Sequence, residues 1–229
     1  MTCKLFRKVF FLPAFLSVLM VFVAAGCSGG KVNVADFEEQ CASQNLDPVM
    51  AAVRSEDFAL LKSLLSSGRN PDSFSAGKIT PLMWACRTGN LRQIKLLLKF
   101  GADINQKSGE GLFPFDYACI SGSLPAVKIL LGFNPDLNHL NPGDTTPLML
   151  ACSLDFTRLV KLLVKNGAEI DLENSMGDTA LTFCVYGNSP ECAGILIKNG
   201  ADPLHKNSEG FSPFDLASPR MQEIFRTRG

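Results

Sequence analysis

The sequence lacks a net charge and contains very little histidine, and both shortages exclude classes of function. Its 22 lysine and arginine residues are balanced by 22 aspartate and glutamate residues, so the cationic excess of a nucleic-acid-binding face is missing. The only histidines, His139 and His205, lie 66 residues apart, and no Cys-x-x-Cys or His-x-x-x-His spacing occurs. Because zinc sites need such spacings, we predict no metal or other cofactor and no nucleic-acid partner.

Acidic residues are absent from the N-terminal segment, where the first is Asp36. Lys4, Arg7 and Lys8 stand before a largely apolar run over residues 9–25. A positively charged start followed by an apolar stretch is typical of a secretory signal peptide. We therefore predict that the chain begins with an export signal.

Small residues directly precede a cysteine at the end of this run, in Val23-Ala24-Ala25-Gly26-Cys27. The stretch resembles the bacterial lipobox, which implies that residues 1–26 are a lipoprotein signal peptide and that Cys27 carries a diacylglyceryl group. Two alternatives stay open. The 17 residues of the apolar run are nearly enough for an uncleaved transmembrane anchor, and ordinary cleavage would leave Cys27 as a free thiol.

Residues 27–45 are predicted to be a lipid-anchored tether and N-terminal lead-in, with a flexible start at Ser28-Gly29-Gly30. The resemblance to envelope lipoproteins implies transfer to the outer membrane, facing the periplasm, because Ser28 rather than an aspartate follows the cysteine. The acyl chains, rather than charge, would hold such a protein to the bacterial cell envelope.

One seven-residue phrase occurs twice, as TPLMWAC at residues 80–86 and as TPLMLAC at residues 146–152. Half of the interval between them is a period of 33 residues that fits the rest of the chain. Self-similarity at one fixed period predicts a repeat architecture. The period places these residues at the same position of successive units: Pro48, Pro81, Pro114, Pro147, Ala180 and Pro213.

Each unit has the pattern of two short helices followed by a turn. The hydroxyl of Thr80-Pro81 can accept a hydrogen bond from a free backbone N–H, and proline fits the first helical position. Gly89 tolerates the left-handed backbone of a helix end, whereas Glu56 and Asp155 fit the same position less well. Phe113-Pro114 lacks a capping oxygen, so we predict a frayed helix start there. Because no unit of this size buries its apolar face alone, the units must pack together.

The pattern resembles the ankyrin repeat, in which a helix-turn-helix opens with T-P-L-H-x-A, closes with a leucine pair and G-A-D, and is followed by a β-turn finger. The resemblance covers residues 46–229 and implies an all-α repeat solenoid of five units and a shortened C-terminal unit. The histidine of the motif is missing here, so we predict that its turn-to-helix hydrogen bond is absent. Its positions hold Met50, Met83, Asp116, Met149, Thr182 and Asp215.

Ankyrin-repeat proteins bind partner proteins through their finger tips and the exposed edge of the first helix. The resemblance therefore implies a monomeric module that binds another protein. Several of the residues at these positions are apolar, which favours a protein-binding patch. The alternatives are that the fingers cover these side chains, or that the side chains are scattered over the surface without a function. The implied partner-binding residues are Ile79, Arg87, Glu110, Leu112, Ile120, Leu154, Met176, Asp178, Tyr186, Glu209 and Phe211, with Thr88 and Thr145 beside them.

Catalytic residues are not evident in the sequence. It shows no nucleophile beside a base, no paired carboxylates and no phosphate-binding glycine loop, and a linear array keeps its aspartates apart. Gly109-Glu110-Gly111 is predicted to be a turn, since no strand-loop-helix unit surrounds it. We therefore predict that the protein is not an enzyme and has no small-molecule substrate.

Six cysteines follow Cys27. Cys184 and Cys192 belong to facing helices of one unit and form the candidate disulfide, with two packed thiols as the alternative. Cys41 is either unpaired or bridges to another chain. Three more recur at one position of stacked helices about 8–10 Å apart, too far for a disulfide, and are predicted to be small buried thiols: Cys86, Cys119 and Cys152.

Two further functional hypotheses remain beside the binding module. One is a thiol-based redox protein of the periplasm that uses Cys184 and Cys192, since an oxidising compartment permits such chemistry. The other is a structural spacer without a specific partner. His139 and His205 are predicted to be solvated turn residues of the fingers, with contact to a partner as the alternative.

Overall fold

The computed structural model describes residues 34–43 and 46–228. Thirteen α-helices, and no strand, occur in these two ranges. The predicted signal peptide and Cys27 lie outside the described residues. The helices are α1 (Val34–Ser43), α2 (Pro48–Arg54), α3 (Phe58–Ser66), α4 (Pro81–Thr88), α5 (Leu91–Lys99), α6 (Pro114–Ile120), α7 (Leu124–Leu131), α8 (Pro147–Ser153), α9 (Thr157–Lys165), α10 (Ala180–Tyr186), α11 (Pro190–Lys198), α12 (Pro213–Leu216) and α13 (Pro219–Arg228).

The helices form pairs that stack in the order of the chain. The first helices of the units make one continuous row, in which α2, α4, α6, α8, α10 and α12 each pack on the next. Each first helix of the five full units also packs on its own second helix. The predicted all-α repeat solenoid, with five helix pairs and a shorter sixth, is confirmed.

The first helices begin where the sequence predicts, and hydroxyl side chains cap three of them, α4, α8 and α12. Thr80 accepts a hydrogen bond from the backbone N–H of Met83 at 3.3 Å, and Thr146 accepts one from Met149 at 3.1 Å. A second hydrogen bond joins each pair in the opposite direction. The methionine sulfur accepts it from the backbone N–H of the threonine three residues earlier, at 3.4 Å. The prediction that the turn-to-helix hydrogen bond is absent was therefore wrong: thioethers, which are weak acceptors, replace the histidine of the motif.

Helix α6 corrects a second prediction. It begins at Pro114 like its counterparts, and Phe113 provides no side-chain cap. The Asp116 carboxylate instead accepts a hydrogen bond from the Phe113 N–H at 2.8 Å. Because the third helical residue satisfies this backbone donor, the predicted fraying does not occur.

Left-handed backbone closes the first helix even where the residue is not glycine. Gly89 has a φ of 68°, and Glu56, Asp155 and Asn188 have φ values of 60°, 56° and 50° at the equivalent position. Side chains other than glycine and asparagine seldom adopt this conformation. The fold therefore imposes the turn at these positions.

A helix closes each end of the stack: α1, which precedes the repeats, and α13, the second helix of the shortened sixth pair. Helix α1 packs on α2 and α3 and buries Phe37 and Cys41, while Glu38 binds Arg69 through two hydrogen bonds of 2.7 and 2.6 Å. Helix α13 packs on α11. A helix therefore lies within the segment predicted as tether and lead-in, and Cys41 is a core residue of that helix.

Candidate protein-binding surface

Two pairs of neighbouring fingers are joined by a backbone hydrogen bond. The Gly109 N–H donates to the carbonyl of Gly77 at 2.6 Å, and the Ser208 N–H donates to that of Met176 at 2.9 Å. A Cβ on Gly109 would lie 2.6 Å from the same carbonyl oxygen, so only glycine permits this approach. Backbone hydrogen bonds therefore support the edge of finger tips at these two places.

The predicted partner-binding residues divide by exposure into three groups. Asp178 and Thr145 are buried, whereas Ile79, Leu112 and Ile120 are half-buried and pack against the core. For these three, the alternative interpretation that the repeats cover the side chains applies. The exposed members are Arg87, Glu110, Leu154, Met176, Tyr186, Glu209 and Phe211, which we call the finger–helix surface. Thr88, beside Arg87, is also exposed.

The C-terminal half of this surface is apolar. Leu154, Met176, Tyr186 and Phe211 are each between 40% and 50% exposed. Leu154 directly follows α8, Tyr186 ends α10, and Met176 and Phe211 lie in two successive fingers, so the repeat places them along one edge. Large apolar side chains left half in solvent on a supported edge are typical of a binding site.

Buried Asp178 supports Tyr186 instead of facing a partner. The Tyr186 hydroxyl donates to one oxygen of Asp178 at 3.1 Å, and Asn207 donates to the other at 2.8 Å. Burial, with the negative charge of Asp178, raises the pKa of Tyr186 to about 12, so the hydroxyl remains a donor. The expectation that Asp178 is exposed was wrong, because Asp178 joins a finger to the end of α10.

Two arginines lie beside a tryptophan in the N-terminal half of the same edge, which also contains Glu110. Trp84, on α4, is half-buried, and Arg54 and Arg87 place their guanidinium carbons 5.0 and 5.8 Å from the centre of its ring. Both distances fall within the range of cation–π attraction. Trp84 and Arg54 were not among the predicted site residues, although Arg54 occupies the same position in its unit as Arg87.

His139 is not a solvated turn residue, which corrects the prediction. Its Nε2 lies 2.8 Å from an Asp116 carboxylate oxygen and its Nδ1 lies 2.7 Å from the carbonyl oxygen of Asp136. The side chains of His139 and Asp116 are 10% and 0% exposed. A carboxylate and a carbonyl only accept hydrogen bonds, so this geometry favours the protonated imidazole, in which both ring nitrogens donate.

The pKa of His139 agrees with this geometry. Burial acts to lower the pKa, but the hydrogen bonds and negative charges of Asp116 and Asp136 act in the opposite direction and raise it above 6.5. The sequence contained one signal of the pair: a carboxylate on an otherwise apolar first helix needs a buried partner. His205 lies 3.3 Å from Glu173 in a more exposed setting.

All six cysteines of the described residues are free and buried. Burial raises the pKa of Cys86 and of Cys192 to about 12, with the neighbouring Cys184 and Asp155 adding to the effect at Cys192. The Cys184–Cys192 disulfide is not formed in this structure and stays a prediction. Within residues 34–43 and 46–228, no three metal-ligating side chains form a group.

Comparisons with known proteins identify the repeat. The family model described as "Ankyrin repeats (3 copies)" matches residues 24–108, 49–141 and 115–207, which together span well over half of the chain. Among solved structures, the ankyrin repeat domain of Bcl-3, described as a unique member of the IkappaB protein family, superposes with a TM-score of 0.73 at 22% identity. The match covers 79% of this chain and 82% of that one.

A search of curated proteins found no match. Across the part of the chain that the structure describes, no helix has the length and hydropathy needed to cross a membrane. The helix pairs, the 33-residue period and the family match agree with one another. On this evidence, the chain belongs to the ankyrin-repeat family.

Proposed function

We propose that this protein is a non-enzymatic binding module that holds a partner protein on the finger–helix surface. Ankyrin repeats are generally protein–protein interaction modules, and their fold is typically a binding scaffold without enzymatic activity. The observation that carries the proposal is the apolar half of the surface, where Leu154, Met176, Tyr186 and Phe211 are 40–50% exposed. Exposed apolar area of this kind is the part of an interface that gains most from losing water.

The support beneath these side chains strengthens the proposal. The Asp178 carboxylate fixes the Tyr186 hydroxyl, and Phe183 lies edge-on to the Tyr186 ring at 5.9 Å. Met176 and Phe211 sit on fingers that are hydrogen-bonded to each other near Ser208. An aromatic side chain held in one orientation loses little entropy on binding, and such residues dominate interface energies.

Substitution of the exposed apolar residues tests the binding function. Leu154→Asp, Met176→Asp and Phe211→Asp together should reduce crosslinking of the partner in cells at least about tenfold, because charges would replace the buried centre of the interface. Crosslinked partners would be identified by mass spectrometry. The far-ultraviolet circular dichroism should stay unchanged, since all three side chains are exposed.

A matched control uses three other exposed apolar residues. Phe74, Phe133 and Leu204 are 49–64% exposed and lie outside the finger–helix surface. Their replacement by aspartate should leave crosslinking within about twofold of the unsubstituted protein. Equal losses in the two triple variants, or no loss in either, would contradict the proposed binding surface.

We further propose that Cys27 is lipidated and anchors the module in the bacterial cell envelope, at the outer membrane. The support is the charged start, the apolar run and the small residues before Cys27. Cys27→Ser should abolish incorporation of a labelled fatty acid and release the protein from the membrane fraction of a bacterial host, because the thioether cannot form. Retention of the label in Cys27→Ser would overturn the anchor. If the unsubstituted protein keeps residues 1–26 in the cell, the alternative of an uncleaved transmembrane anchor would be favoured.

A further inference from the structure

The second helices of the five full units form a row of their own, and the outer face of this row is basic. Helix α3 packs on α5, α5 on α7, and α9 on α11. The five second helices hold nine of the 22 basic residues of the chain but only one of its 22 acidic residues, Glu191. All nine basic side chains are exposed. The balanced total charge of the chain therefore conceals a segregation of charge between its faces.

Four lysines of this face stand at one position of four successive units. The 33-residue period places them in a line, which we call the lysine ladder: Lys62, Lys95, Lys128 and Lys161. Because packed helices lie about 8–10 Å apart, the ladder spans roughly 24–30 Å. The distance between its steps is about one Debye length at physiological salt. The four charges therefore repel one another only weakly, but all four attract an extended anionic surface.

The fold does not neutralise the positive charge of this face. Across residues 34–43 and 46–228, no ion pair includes a side chain of the five second helices. Arg92 stacks on Phe58, with its guanidinium carbon 4.4 Å from the ring centre, and this contact supplies no anion. Asp36 and Glu39 are exposed on the neighbouring helix α1, but the nine cations outnumber them. The face is therefore available to an external anion.

An exposed phenylalanine lies beside the lysine ladder. Phe133 follows α7 by two residues and is 49% exposed. The period places it next to the positions of Lys99 in the preceding unit and of Lys165 in the following unit. An aromatic ring among lysines suits the interface of a bilayer, because the ring enters the headgroup region while the ammonium groups stay with the phosphates.

The predicted lipid anchor would lie close to the lysine ladder. Residues 28–33 separate Cys27 from the start of α1, and even an extended chain covers at most about 25 Å between Cys27 and Val34. Helix α1 packs on α3, which carries Lys62, the first lysine of the ladder. Lipidation of Cys27 would therefore keep the ladder beside a bilayer, where a weak attraction acts at a high local concentration.

We propose that the lysine ladder and the cations beside it lie against anionic phospholipid headgroups of the membrane that carries the chain. The proposal rests on the proposed lipid anchor and adds the orientation of the repeats on the bilayer. Each lysine near an anionic bilayer adds to the attraction, and its flexible stem lets the ammonium group reach a phosphate. The first helices pack on the inner side of the second helices, so the finger–helix surface stays free for a partner protein.

Amine labelling of the membrane-bound chain tests this orientation. The full chain, purified with its anchor from a bacterial host, would be bound to vesicles of phosphatidylcholine alone or with about 30% phosphatidylglycerol. A membrane-impermeant N-hydroxysuccinimide ester should label the ladder lysines at least about threefold more slowly on the anionic vesicles, and about 0.5 M salt should remove the difference. Lys78 and Lys107, which are exposed in the fingers, should be labelled equally on both vesicles.

Substitution within the ladder tests the role of its charge. Lys95→Gln/Lys128→Gln/Lys161→Gln should abolish the protection of Lys99 and Lys165 on the anionic vesicles, because too few charges remain to hold the face against the headgroups. Lys95→Arg/Lys128→Arg/Lys161→Arg should retain the protection, since the positive charge is kept. The circular dichroism of both variants should match that of the unsubstituted protein, because the three side chains are exposed.

A matched control changes the charge of the fingers by the same amount. Lys78, Lys107 and Lys206 are exposed in three fingers. Lys78→Gln/Lys107→Gln/Lys206→Gln should leave the protection of the ladder lysines within about twofold. Equal effects of this variant and of the ladder variant would show a response to total charge and would contradict a specific face.

Three further results would overturn the inference. They are equal labelling of the ladder lysines on the two kinds of vesicle, stronger protection of the finger lysines than of the ladder, and stronger protection of the ladder by an oligonucleotide than by anionic vesicles at the same concentration of charge. The anchor is judged separately, because its failure appears as a chain that does not float with phosphatidylcholine vesicles. Labelling with anionic vesicles added in solution would still report on the face in that case.

Discussion

Asp116→Ala is expected to lower the free energy of unfolding by about 3–5 kcal/mol at pH 6, because it removes one partner of a buried ion pair. The Asp116 carboxylate accepts hydrogen bonds from the Phe113 N–H and from His139 Nε2, both at 2.8 Å. Alanine leaves the backbone donor and a buried imidazolium unpaired. Urea unfolding followed by circular dichroism measures the loss.

Asp116→Asn is the informative companion variant. An asparagine can accept from the Phe113 N–H with its oxygen and donate to a neutral His139 with its amide, so the contacts survive without the charges. We expect Asp116→Asn to lower the free energy of unfolding by less than about half as much as Asp116→Ala does. Asp215→Ala removes the carboxylate at the same position of the last unit, where it is exposed and bonds only Ser212, and should have a smaller effect. Equal losses for Asp116→Ala and Asp215→Ala would contradict the buried pair.

The same pair makes stability depend on pH. The pKa of folded His139 is raised above 6.5 by Asp116 and Asp136, so the native state retains a proton that the unfolded state releases. The stabilisation is fully present below about pH 6.5 and is lost as pH rises through the raised pKa. Unfolding measured at intervals from pH 6 upwards should show this decrease in the unsubstituted protein, and a flat profile in Asp116→Asn. An increase of stability over that range would contradict the charge assignment.

The six cysteines of the described residues are expected to react with a thiol reagent only after unfolding. Only the thiolate is nucleophilic, and a pKa near 12 at Cys192, against an ordinary value of 9.0, reduces the thiolate fraction about a thousandfold at pH 8. The pKa of Cys41 is raised to about 11 by burial and by the charges of Asp47 and Glu38. Because all six thiols are also buried, iodoacetamide labelling, read peptide by peptide by mass spectrometry, should be at least about a hundredfold slower in the native protein than in urea.

The iodoacetamide labelling also tests the hypothesis of a thiol-based redox function. Rapid native labelling of Cys184 or Cys192 at neutral pH would overturn the expectation and favour a thiol-based function. A mass decrease of about two hydrogens in the peptide pair that contains Cys184 and Cys192 would show the disulfide. Labelling in urea serves as the control, since every cysteine is then accessible.

The repeat could be predicted from the sequence because its signals are local. Thr80, Pro81 and Gly89 each fix a helix start or end through their own backbone, and the 33-residue period then places every other unit. Helix α1 escaped prediction because it lies outside the period and buries only Phe37 and Cys41 among its apolar residues. Its stability comes from the unit on which it packs.

The site could be predicted only in outline. Period and resemblance placed Leu154, Met176, Tyr186 and Phe211 on one edge, and they are exposed there. The period and the resemblance could not predict contacts between residues far apart in the chain. Examples are the Asp116–His139 pair, 23 positions apart, and the Asn207–Asp178 hydrogen bond, 29 positions apart. Such pairs depend on how one finger rests against a neighbouring helix, which no local pattern encodes.

The stack is closed at both ends, which limits the length of a partner segment that can lie along it. With α1 sealing one end and α13 the other, the row of six first helices contains five steps of about 8–10 Å each, a length of roughly 40–50 Å. An extended polypeptide advances about 3.3–3.6 Å per residue. A partner segment in this conformation would therefore place about 12–15 residues along the row. The number of repeats therefore sets the length of the edge on which the exposed apolar residues lie.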